Sequence, residues 1–267
     1  MIFTKARAAL LASSLTALAS IAGASAAQAA TIVALQEGKW LHVIDTDAKK
    51  VRKTIPVAGN ASLVGIDVRP SDGKLYGVTT DGSIVTVDAA SGKWEKKSTL
   101  SEKLPAGATL SVDFNPVADR MRILSSTGMS LRVNVEDGKA IVDGQLKYAE
   151  GDANKGKTPK VVAGAYSNSY AGTKETALYD IDAASAAYLR QAPPNDGILN
   201  TLGKLTVNVG GPVAFDIASD GKGGNTGWLL VGGMLHSLDI ATGATKSVGA
   251  IAGLKGKVSD ISVMPAM

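Results

Sequence analysis

Three observations predict an all-β fold, a β-propeller of five four-stranded blades. A short apolar run ending in Asp or Asn occurs five times, closing on Asp45, Asp88, Asn134, Asp182 and Asp239. These residues stand 43, 46, 48 and 57 positions apart, the period of a strand unit repeated around an axis. Turn clusters such as Pro70-Ser71-Asp72-Gly73 and Asp81-Gly82 divide each unit into short strands joined as hairpins. Unmatched strands at the two chain ends, three in front and one behind, add up to one further blade. Six blades or an irregular ring is the alternative count.

The elements follow in order. Residues 32–35, 40–45 and 51–57 read as the three N-terminal strands. The next unit runs 63–68, 74–79, 83–88 and 93–100, with Ala89-Ala90-Ser91-Gly92 as its last turn. The third runs 110–114, stopped by Asn115-Pro116, then 120–125, 130–134 and 140–146. The fourth comprises 161–166, 177–182, 188–191 and 200–205; the fifth, 213–217, 228–231, 234–239 and 245–251. Residues 258–264 complete the first blade, and sharing a blade between the chain ends hides edge strands that an open array would expose. Two inserts interrupt the pattern. Residues 144–160 are polar and rich in Gly and Lys, as in a mobile surface loop, and the prolines of 191–197 forbid a central strand and make a stiff turn.

Residues 1–29 read as a secretory signal. Lys5 and Arg7 precede an uncharged Ala/Leu-rich stretch, and Ala27-Gln28-Ala29 offers a small-x-small cleavage site. Ser13, Ser14, Thr16 and Ser20 interrupt that stretch, which is short for a membrane span of roughly 20 residues. The expected domains are therefore a signal peptide, 1–29, and one propeller, 30–267, exported to the periplasm or the exterior as a monomer without a membrane span.

The chain holds 28 Lys+Arg against 24 Asp+Glu. Without Lys5 and Arg7 the balance is 26 against 24, or about +2. No basic cluster is interleaved with aromatics, so nucleic acid is not an expected partner. The absence of cysteine removes disulfides, thiolate metal sites and cysteine nucleophiles. No nucleophile elbow, phosphate loop, dinucleotide fingerprint or His-Glu-x-x-His motif occurs.

The first strand of a blade lines the central channel, and four first strands carry an Asp at the same place: Asp67, Asp113, Asp216 and Asp260, with Ala165 breaking the set. Facing inward, they would crowd like charges and attract a divalent cation such as Ca²⁺ or ordered water. Facing the next blade, they would accept its backbone N–H groups and pin the ring. Both readings stay open. Arg120, Arg122 and Arg132, with Asp119 and Asn115 nearby, offer either an anion grip or solvated faces with local ion pairs. Any binding site is expected to draw on the four first-strand Asp residues and Arg120 rather than on the blade edges. The Asp and Asn residues ending the runs read as turn formers. His42 and His236, at one strand position in two blades, read as packed rather than metal-bound, and Asp220 to Asn225 as a hairpin tip.

Val112-Asp113-Phe114-Asn115-Pro116, Asp119-Arg120-Met121-Arg122-Ile123 and Leu131-Arg132-Val133-Asn134 resemble the hallmark stretch of a secreted bacterial family, domain of unknown function 4394. Leu178-Tyr179-Asp180-Ile181-Asp182 and Pro193-Pro194-Asn195-Asp196-Gly197 through Leu199-Asn200-Thr201 extend the resemblance over essentially the whole mature chain. The resemblance implies a propeller-like repeat and export. It implies no activity and supplies no catalytic residues. The expected function is an exported binding or interaction module for a small molecule or protein. A metal-assisted hydrolase or lactonase using the carboxylate ring, and a structural envelope domain, are the alternatives.

Overall fold

Residues 30–265 are described by a computed structural model; the expected signal segment lies outside the described residues. Blade 1 is ordered β21-β1-β2-β3 and joins Val258–Val263 (β21) to Thr31–Gln36 (β1), Trp40–Asp45 (β2) and Lys50–Pro56 (β3). Blade 2 is Leu63–Val68 (β4), Leu75–Thr79 (β5), Ser83–Val87 (β6) and Trp94–Thr99 (β7). Blade 3 is Leu110–Asn115 (β8), Arg120–Ser125 (β9), Ser130–Val133 (β10) and Ala140–Val142 (β11). Blade 4 is Val161–Tyr166 (β13), Leu178–Asp182 (β14), Ala187–Gln191 (β15) and Ile198–Lys204 (β16). Blade 5 is Val213–Ser219 (β17), Asn225–Val231 (β18), Met234–Leu238 (β19) and Thr245–Ala250 (β20). Five blades is the count, and the ring closes through the two ends of the chain.

The four strands named for each blade pair antiparallel, as hairpin connections require. Register shifts recur between the third and fourth strands of blades 1, 2, 4 and 5. A bulge there sharpens the twist, which lets each outer strand turn away from the axis.

The strands read as apolar runs because the middle of each blade is covered on both faces. Ile32 and Ala34 of β1 face blade 5 with Trp228, whereas Val33 and Leu35 face blade 2 with Ile66. Alternate side chains of one strand thus serve two interfaces. Blades 2 and 3 meet over Tyr76, Phe114 and Met121, and blades 4 and 5 over Tyr188 and Phe215. The junction of blades 3 and 4 has the smallest apolar cluster, with Leu124, Tyr148 and Leu189 at its centre.

The insert differs from its expected form. Lys147–Tyr148 (β12) pairs parallel with β16 and adds a fifth strand to blade 4. Leu146 and Tyr148 are buried there, so the start of the segment is anchored. Beyond it, the Thr201 backbone N–H donates to Asp152 Oδ2 at 2.6 Å and the Thr201 hydroxyl to Asp152 Oδ1 at 3.0 Å. The segment looked loose in sequence because its apolar residues have no strand period; its order comes from β16, some fifty residues further on. Residues 192–197 form no strand, as expected, and hold a short 3₁₀ turn at Pro194–Asp196. No helix among the described residues is long and apolar enough to cross a membrane.

Candidate functional site

The axis is built from the five inner strands β21, β4, β8, β13 and β17, each packed against the next around the ring. Asp260 Oδ2 accepts the Ile66 N–H at 3.0 Å, Asp67 Oδ2 that of Phe114 at 2.8 Å, and Asp113 Oδ1 that of Tyr166 at 3.0 Å. Asp216 Oδ2 accepts from Val263 at 2.6 Å. Each carboxylate therefore stitches its own blade to the following one. Blade 4, with Ala165, lacks such a link; besides the apolar contact, its junction with blade 5 carries the Tyr188 hydroxyl donating to the Ile240 carbonyl at 3.0 Å and an Asn168–Asn225 pair. Asn225 Oδ1 accepts the Asn168 N–H, and the Asn225 amide donates to Asn168 Oδ1, each at 2.8 Å.

These carboxylates also converge. Asp67, Asp113 and Asp216 each place one oxygen within 4.8 Å of the other two. All four are buried, and burial pushes each carboxyl upward, Asp216 to about 6 and the others well above the usual range. Mutual repulsion adds to the rise at Asp67, Asp113 and Asp260. Like charges this close either retain protons or share a cation. Three carboxylates would supply part of a calcium shell of six to eight oxygens. Arg120 is not part of this group: it is exposed on β9, and its guanidinium donates to the Asp119 carbonyl at 2.8 Å.

The other arginines separate as well. Arg122 is sealed between blades 3 and 4, where it donates to Ser130 Oγ at 2.9 Å, Asp143 at 2.5 Å, Asn195 Oδ1 at 3.0 Å and Tyr166 Oη at 3.2 Å. Arg132 donates to the same Asp143 at 2.8 Å. Asp119 pairs with Arg69 of blade 2 at 2.6 Å. The guanidinium of Arg122 is thus committed within the protein, and the trio grips no common point. His42 lies between Gln36 Oε1 at 2.5 Å and Thr54 Oγ1 at 3.0 Å, and burial lowers its pKa.

A second place was not singled out in the sequence. A cleft of about 420 Å³ opens on the outer side of blade 4, between the insert and the β14–β16 strands. Tyr148, Asn154, Lys157, Asp182, Thr201 and Lys204 are among its walls. Asp182 fixes the cleft's floor: its carboxylate accepts from the backbone N–H groups of Lys160 at 2.6 Å and Ala184 at 3.0 Å, from Ser185, and from the Tyr148 hydroxyl. Those donors hold its pKa below the usual range against the opposing effect of burial. Burial and Asp182 together push the Tyr148 phenol up. The sequence signal was the insert itself, which lengthens the step from Asp113 to Ala165 to 52 residues.

A closed ring of five blades, with buried carboxylates tying inner strands together, defines a five-bladed β-propeller. The family described as "Domain of unknown function (DUF4394)" matches residues 40–262, and the chain belongs to it. No curated protein matches it in sequence. Among solved structures, it is similar to a protein of unknown function from Bacteroides thetaiotaomicron VPI-5482, with 16% identity and a TM-score of 0.53. That likeness covers 89% of this chain and 62% of the other. A protein of unknown function from Bacteroides caccae aligns with 13% identity and a TM-score of 0.46, over 84% of this chain and 74% of that one. An auxiliary nutrient binding protein from Bacteroides thetaiotaomicron VPI-5482 aligns with 11% identity and a TM-score of 0.46, over 88% and 57%. This chain thus spans less than two thirds of the first and third of these proteins. At such identities the likeness concerns the fold.

Proposed function

We propose that this protein is an exported binding module that takes a small ligand in the cleft on blade 4. The observation that carries the reading is that the one long insert in the ring is pinned back onto its blade by Asp152 and Asp182, leaving a shaped cavity of about 420 Å³. Insertions into a repeat commonly sit on the binding face, and concave sites with a few fixed polar groups are the usual places for small ligands. Ala184 lines the cleft and is exposed, so Ala184→Trp fills it from the rim. A metabolite panel read by melting temperature should give a stabilising ligand for the parent protein and none for this variant. Equal stabilisation of both would place binding elsewhere. Export is tested by fractionating cells and weighing the mature chain, which should begin at Ala30.

The convergence of Asp67, Asp113 and Asp216 favours a second reading, a divalent cation at the axis serving metal-assisted hydrolysis, as of a lactone. Calcium should then raise the melting temperature of the parent protein, with no effect on Asp113→Asn. Identical responses would leave the carboxylates as ring ties. A structural envelope role remains if neither ligands nor cations shift the melt.

A further inference from the structure

We infer that the blade-4 cleft selects a small organic oxyanion, a polyol bearing a carboxylate or a phosphate ester. This rests on the cleft being the binding site, and it follows from which hydrogen-bonding groups remain free there. The cleft's one carboxylate is already engaged. Asp182, the cleft's carboxylate, receives five hydrogen bonds, from Lys160, Ala184, Tyr148 and twice from Ser185. Asn154 Oδ1 receives the Lys157 ammonium at 2.9 Å, and Thr201 Oγ1 receives the Asn154 amide at 3.2 Å while donating to Asp152.

The donors, by contrast, are in surplus. An ammonium carries three N–H groups and a side-chain amide two. Lys157 uses one of its three on Asn154, and Asn154 uses one of its two on Thr201. Lys204 also lines the cleft, and neither it nor Lys157 belongs to an ion pair among the described residues, although Lys155 next to them pairs with Glu150. The charges of Lys157 and Lys204 are matched by those of Asp182 and Asp152, but the carboxylates are turned onto protein donors, so a ligand entering here meets ammonium and amide N–H groups and no open carboxylate. The complementary ligand is rich in acceptors and negative. The cavity exceeds the size of a bare inorganic anion, and Ala184 and Ala187 add a small apolar wall for a carbon skeleton.

Titration calorimetry with gluconate, glucose 6-phosphate, inorganic phosphate and sorbitol tests this. Gluconate or glucose 6-phosphate should bind, the better of the two identifying the anionic group, and sorbitol should not. Replacing both lysines (Lys157→Gln with Lys204→Gln) should weaken that binding at least about tenfold, the loss of one or two charge-assisted hydrogen bonds. Raising salt from about 50 to about 500 mM should weaken it as well. Both lysines are exposed, so an unchanged melt confirms that the variant is folded. Sorbitol binding as tightly, indifferent to the lysine changes yet lost in Ala184→Trp, would overturn the ligand class and leave the cleft as the site. Anion binding that survives Ala184→Trp would overturn both readings. Silence from all four probes overturns the ligand class, and a panel of neutral metabolites in the same assay then judges the cleft separately.

Discussion

Both carboxylate oxygens of Asp180 are buried without a hydrogen-bond partner, in the same interblade seam as Arg122. Burial raises this carboxyl to about 8, against the opposing pull of the Arg122 charge. Its folded pKa lies above the unfolded value, so its contribution to stability is fully present below about pH 4 and lost as pH rises through about 8. Over that window the parent protein should lose stability progressively through this group. Asp180→Asn cannot ionise, so its melting temperature should fall less steeply between pH 5 and pH 8. Parallel melting curves for the two proteins would show that the carboxyl has found a partner in solution. Gly164 makes room for this group: a Cβ there would lie 2.6 Å from Asp180 Oδ1.

At the scale of the element, the hairpin turns do more than reverse the chain. Asp88, Asn134 and Asp239 each accept a backbone N–H two residues on, the turn chemistry their sequence suggested. The glycine that ends each turn also meets a neighbouring blade. Gly138 donates to Asn134 within its own turn and accepts the Ser101 N–H at the end of blade 2, while Gly92 accepts that of Ala58 from blade 1. Gly138 has φ 75°, and a Cβ there would stand 1.9 Å from the Thr99 carbonyl oxygen. Gly73 has φ 68° with nothing within 4 Å of such a Cβ. Gly73→Ala should therefore cost only the backbone strain, about 1–2 kcal/mol. Gly138→Ala adds a collision with a neighbouring blade and should cost at least about 3 kcal/mol. Denaturant unfolding of the two variants compares them directly. Equal losses would mean that the contact between blades relaxes freely.

The whole molecule depends on its closure. β21 is the innermost strand of blade 1, pairs with β1, and packs against β17 and β4 on either side. It also carries Asp260, which accepts from Ile66, and Ser262, which donates to Asp67 at 2.8 Å and accepts from Val68 at 3.0 Å. A truncation ending before residue 258 opens a sheet edge and cuts these ties together. It should lose the cooperative melt, whereas shortening the exposed hairpin tip at Gly221-Lys222-Gly223 should lower the melting temperature slightly. A truncated protein that melts like the parent would refute closure as the source of stability.

The sequence by itself determined the propeller, its five blades and the shared first blade, because a repeat folds the same way each time and its turn residues mark the strand ends. The first-strand Asp positions were legible for the same reason. Tertiary structure alone decided what those residues touch. The backbone N–H groups they accept lie about fifty residues away, or across the chain ends for Asp260, and no local pattern encodes that reach. Arg122 and Arg132 stood on adjacent strands as the sequence placed them, but the face of blade 4 buried one and Asp143 drew both. The cleft was the least legible feature. Its lysines, hydroxyls and carboxylate come from the insert, the end of β14 with the turn after it, and β16, segments with no period in common, and only the folding of one against another gives them a shared cavity.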